Sequence, residues 1–132
     1  YASFHPPAPP ESWSRDRTGE LLELGAIEVE PQLRGRRLAE QLLAVSMAGG
    51  RFDATIVLAL IYVWNFDLRR VSLGALGYRR LLERLYMKAG FERFATDDPE
   101  VLASPANALM ARIGSRTPAA IREEFDRLRL AQ

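Results

Sequence analysis

Cysteine is absent from this 132-residue chain, and that absence closes several routes at once. No disulfide framework, thiol nucleophile or cysteine-bound zinc site can be built from it. Histidine is scarce too. His5 is the single copy, which excludes a histidine-rich metal site within one chain, and no metal is expected. Charge of one sign does not dominate: 18 Lys and Arg stand against 17 Asp and Glu, a net charge of +1. That is not the balance of a basic nucleic-acid binder, and the basic residues lack interleaved aromatics. The longest apolar run, Thr55 to Trp64, is too short to span a bilayer as a helix. No signal-peptide pattern opens the chain, so no membrane partner is expected and a cytoplasmic location is the default.

What is present suits one domain, 1–132, with enough apolar content for a real core. Tyr1-Ala-Ser-Phe4 reads as the tail of a strand, and the chain opens on Tyr rather than Met. Residues upstream of Tyr1 are therefore expected. His5 to Arg17, rich in Pro and polar residues, reads as a loop. Glu20 to Val29 reads as a strand and Gly35 to Ala48 as a helix, closed by Gly49-Gly50. Leu38, Leu42 and Val45 fall at helical spacing in it, with Ala39, Leu43 and Met47 beside them.

Ala54 to Val63 is an aliphatic, β-branched run that predicts a strand buried on both faces. Trp64 to Gly74 is an irregular link. Tyr78 to Lys88 predicts a helix with Leu81, Leu82, Leu85 and Tyr86 inward. Phe91 to Ala95 and Ala106 to Ile113 predict strands, with a turn at Thr96-Asp-Asp-Pro99. Thr117 and Pro118 read as an N-cap and first helical position. A terminal amphipathic helix over 117–131 follows, with Ile121, Phe125 and Leu128 on one stripe. The order β-β-α-β-α-β-β-α makes an α/β domain with a mixed sheet.

The most informative stretch is Leu24 to Leu43: a strand, a short loop rich in Arg and Gly, then an amphipathic helix. This order puts the free N–H groups of a helix start just beyond a strand end, where a phosphate or pyrophosphate can sit. Gly35 lets the backbone approach a ligand closely. Gln32-Leu-Arg-Gly35-Arg-Arg37 resembles the Q/R-x-x-G-x-G/A motif of the GNAT acetyltransferases. Arg37 stands where that family has Gly or Ala; it brings bulk, and it could turn away from the pyrophosphate, reach it, or weaken cofactor binding. Leu85-Tyr-Met-Lys-Ala-Gly-Phe91 resembles the family's L-Y-x-K-x-G-F segment. Phe4-His-Pro-Pro7, Leu22 to Glu28, Trp64-x-x-Asp67, Tyr78-Arg-Arg80, Thr96 to Glu100, Ser104 to Asn107 and Met110 to Gly114 together look like the acetoin-utilisation acetyltransferase branch.

The resemblance implies a GNAT-like mixed sheet flanked by helices, here expected to lack the first strands and helices of that fold. It implies an acetyl-CoA-dependent N-acetyltransferase that modifies a protein lysine, with AMP-forming acetyl-CoA synthetase as the target class. Acetyl-CoA would be held by Gln32, Leu33, Arg34, Gly35, Arg36 and Arg37, by Leu38 and Ala39 at the helix start, and by the strand end at Ile27 and Val29. A strand N–H near Ile27 to Val29 would hold the thioester oxygen. Tyr86 would protonate the departing thiolate; its plain alternative is a core residue with its hydroxyl at the edge. Any one of the arginines could equally be solvated.

Removing a proton from the amine needs a base, and Glu23 and Glu28 lead. Alternation puts Glu23, Gly25 and Ile27 on one side of the strand and Glu28 on the other, unless a bulge breaks the parity. Each could instead be an exposed or ion-paired carboxylate. Trp64 and Asp67 are placed toward the acceptor, with a turn or cap as the alternative for Asp67. His5 could help bind acceptor or carry a proton, or merely pack its loop. Asp97 and Asp98 read as a turn, and Asn107 as a pin for the loop before the last strand. Two other functions stay open: a small-amine acetyltransferase, and a non-catalytic CoA-sensing or protein-interaction module. A domain lacking early segments would expose an apolar sheet edge or face, with a homodimer among the expected associations.

Overall fold

A computed structural model describes residues 2–7, 12–27, 38–63 and 74–130. Its strands are β1 (Ala2–His5), β2 (Leu21–Ile27), β3 (Ile56–Ile61), β4 (Glu92–Phe94) and β5 (Ala108–Ile113). Its helices are α1 (Leu38–Met47), α2 (Gly74–Lys88), the short α3 (Pro99–Leu102) and α4 (Ala119–Leu130). The strands form one mixed sheet in the order β1-β2-β3-β5-β4. Only β2 and β3 run parallel; β1 with β2, β3 with β5, and β4 with β5 are antiparallel.

Strand alternation sorts the core into two layers. Leu24, Val57, Ala59, Ile61, Ala108 and Met110 face one way and meet Leu43 and Met47 of α1, with Leu82, Leu85 and Tyr86 of α2. Leu21, Ile56, Leu58, Leu109 and Ala111 face the other way, against Ile121, Phe125 and Leu128 of α4. β3 is the central strand, and the expected two-sided burial holds: five of its six residues are buried.

Four expectations need correction. The inward stripe of α1 is Leu43 and Met47, an i,i+4 pair; Val45, two residues from Leu43, is 74% exposed. Leu81 of α2 is likewise exposed, while Leu82 and Leu85 pack inward. α2 begins at Gly74 rather than Tyr78, since a glycine inside a helix costs only about 1 kcal/mol and packing overrides it. Thr117 does not cap α4: its hydroxyl donates to the Thr55 carbonyl at 3.1 Å, and the Pro118 carbonyl accepts the first helical N–H groups.

The segment read as a loop before β2 also carries core. Ser12–Arg15 forms a 3-10 turn that drives Trp13 to full burial, stacked on Phe125 at 6.0 Å between ring centroids. Arg17 then clamps Glu124 of α4, with its backbone N–H at 2.6 Å and its guanidinium at 3.3 Å.

Candidate active site

β2 and β3 are paired in parallel from Leu21↔Ile56 to Glu23↔Leu58. Beyond that point β2 runs to Ile27 beside β1 alone, and β3 runs to Ile61 beside β5 alone. The two central strands thus part at their carboxyl ends, and in open α/β sheets such an opening is where ligands enter. In sequence, β2 is followed by the Gln32–Arg37 segment.

A bulge lies at the same place. Phe4 is opposite Leu24 and Ser3 is opposite Ala26, so Gly25 is the extra residue on β2. Gly25 has no register partner on β1 or on β3. The simple alternation from Glu23 through Ile27 therefore fails: Glu23 pairs with His5, but Ile27 pairs with Ala2, the other parity of β1. A glycine inside a strand signals a bulge or a close approach, and this was the sequence clue to the role of Gly25.

Glu23 and His5 come together as a cross-strand pair on the α4 side of the sheet. Glu23 is only 9% exposed, and its Oε2 has no hydrogen-bond donor among the described residues. Leaving a buried polar atom unpaired costs about 1–3 kcal/mol, so this oxygen calls for a donor beyond the described residues, from the chain or from a bound group. His5 is exposed at the end of β1, its Nδ1 2.9 Å from the Pro6 carbonyl.

Tyr86 lies on the opposite side, in the layer under α1 and α2, its ring 5.6 Å from that of Phe91. The turn after it is fixed by Gly90, at φ 92°: Phe91 N–H donates to the Tyr86 carbonyl at 3.1 Å and Gly90 N–H to Met87 at 3.0 Å. Burial first, and the neighbouring Tyr78 second, push the Tyr86 phenol up to about 12. Lys88 pairs with Glu40 at 3.2 Å and ties α2 to the first turn of α1. Leu38 and Ala39, at the start of α1, are partly buried.

Glu28, Val29, Gln32, Leu33, Arg34, Gly35, Arg36, Arg37, Trp64 and Asp67 lie outside the described residues. Asn107 does pin the chain before β5. It accepts from Val63 N–H at 2.7 Å and donates to the Glu100 carbonyl at 3.0 Å. Asp98 is more than a turn residue: it caps α3 by accepting from Glu100 N–H at 3.0 Å. Among the described residues no three His, Cys, Asp or Glu side chains gather as a metal site, and no helix is long and apolar enough to cross a membrane.

No family model matches the chain. It is 42% identical over 129 residues to the acetoin utilization protein AcuA of Bacillus licheniformis and 41% identical to that of Bacillus subtilis. Each match takes in 98% of this chain and 61% of the relative. A crystal structure of an acetoin utilization protein from Exiguobacterium sibiricum superposes with a TM-score of 0.93 at 40% identity, over 99% of this chain and 62% of the other. The chain thus spans about three-fifths of the length of these relatives.

Proposed function

This chain is a homologue of the acetoin utilization proteins along nearly its whole length, and from that premise we propose that it is an acetyl-CoA-dependent N-acetyltransferase acting on a protein lysine. The single observation that carries the reading is the parting of β2 from β3 beside the Gly25 bulge. It leaves unpaired backbone between a phenol on one face of the sheet and a buried carboxylate on the other.

Acetyl-CoA would be held at its pyrophosphate by the Gln32–Arg37 segment, and the edge of β2 that no longer pairs with β3, at Gly25 to Ile27, would hold the thioester oxygen as charge develops. When bound, acetyl-CoA supplies the activated acetyl group. Glu23, with an unsatisfied oxygen, orients the incoming amine from the α4 side. Tyr86 keeps its proton because it is buried, and it faces the leaving sulfur from the other side. Placing the acceptor-side and sulfur-side groups on opposite faces lets the two proton movements proceed without competing for one group.

AMP-forming acetyl-CoA synthetase is the proposed protein acceptor. The test is intact-mass analysis of that synthetase after incubation with the full-length protein and acetyl-CoA. A single acetyl mass increment, mapped to a lysine, is expected. Acetylation of polyamines in place of the synthetase would make the protein a small-amine enzyme. Calorimetric CoA binding without any transfer would make it a CoA-sensing module.

A further inference from the structure

Resting on that acetyl-transfer reading, we propose that His5 takes the proton from the acceptor amine and that Gly25 is the residue that positions it. A carbonyl oxygen can only accept, so the 2.9 Å contact with Pro6 puts the hydrogen on Nδ1. In the neutral ring Nε2 then carries the lone pair. That nitrogen leans over Gly25. A side chain at Gly25 would overlap the imidazole: an added Cβ would come within 2.6 Å of His5 Cδ2 and 3.3 Å of Ser3 Oγ.

Gly25 does not have a positive φ, so space and not backbone conformation demands glycine there. The same residue is the bulge at which β2 leaves β3, so the imidazole lies over β2 next to the opening. Both His5 and Gly25 are exposed, which gives an amine access. Glu23 is the titratable group that faces His5 from β2. α1, packed on the other face of β1, carries Glu40, which is tied to Lys88.

The step balances. One ammonium proton moves to His5 Nε2, the freed nitrogen attacks the thioester carbon, the C–N bond forms and the C–S bond breaks. The remaining surplus proton on nitrogen ends on the sulfur, and His5 returns its own to solvent.

The test uses the full-length protein with acetyl-CoA and acetyl-CoA synthetase, following release of the CoA thiol. His5→Gln keeps a polar side chain of similar size without an ionisable base, and it should lower kcat by about 10²-fold or more while the KM for acetyl-CoA stays unchanged. Gly25→Ala should cost about 10²-fold by displacing the ring, again with the KM for acetyl-CoA unchanged. Wild-type kcat in His5→Gln would overturn the proposal, as would wild-type kcat in Gly25→Ala. A wild-type protein that transfers no acetyl group would instead reject the acetyltransferase reading itself.

Discussion

Tyr86 is held by burial at a pKa of about 12 rather than the usual 10.0. A general acid works best near the operating pH, so this phenol is better suited to hydrogen-bond a developing thiolate than to ionise freely. Tyr86→Phe keeps the ring contact with Phe91 and removes only the hydroxyl. We expect it to lower kcat by about 10²-fold, the lower end of general acid catalysis, with little change in melting temperature. We also expect the wild-type rate to show no descending limb assignable to Tyr86 up to pH 10. A limb near that value that disappears in Tyr86→Phe would show that the phenol titrates as an ordinary one. The pairing of Glu23 with His5 was legible only in part: both residues stand out in the sequence, but strand register alone puts them side by side.

At the scale of elements, two connections matter. The first joins β2 to α1 and contains Gly35. Gly35→Glu should place bulk and like charge beside a pyrophosphate at that helix start, and calorimetry should show CoA affinity reduced severalfold or more; unchanged affinity would move the cofactor elsewhere. The second joins β3, α3 and β5 through the side chain of Asn107, which is 3% exposed. Asn107→Ala leaves the Val63 N–H without its partner and leaves the Glu100 carbonyl with the Ala103 N–H alone. It should cost about 1–3 kcal/mol in denaturant unfolding. A cost under a few tenths would mean that water replaces the amide at no penalty.

For the molecule as a whole, Glu124 joins chain segments more than a hundred positions apart. It is 5% exposed and takes hydrogen bonds from Arg127 and from the backbone and guanidinium of Arg17. These bonds, Arg127 first, hold its carboxyl down at about 2 against an ordinary 4.5. A carboxyl whose folded pKa is depressed contributes stability that is fully present above its unfolded value and is lost as pH falls through the folded one. Stability should therefore decline from about pH 4.5 down to about pH 2. Glu124→Gln should be less stable at neutral pH and show a shallower decline across that window. Parallel acid-unfolding curves for the two proteins would remove Glu124 as the cause.

The sequence by itself determined what repeats locally. Unbroken aliphatic residues over Ile56–Ile61 made a central strand, and the Ile121, Phe125 and Leu128 spacing made an amphipathic helix, because periodicities of two and 3.6 are properties of the backbone. The Leu85–Phe91 motif likewise marked the helix end at Gly90, since that turn needs a left-handed residue. Tertiary structure decided what depends on partners distant in sequence. Trp13 looked like part of a polar loop, yet it is fully buried because α4 returns to cover it. Val45 looked like part of an inner stripe, yet it is exposed because the sheet meets α1 along Leu43 and Met47. The bulge at Gly25 and the parting of β2 from β3 arise from register between strands, and Tyr86 lies on the face opposite Glu23 because α2 packs there. Register is set by pairing and packing across the whole sheet, which no single stretch of sequence contains.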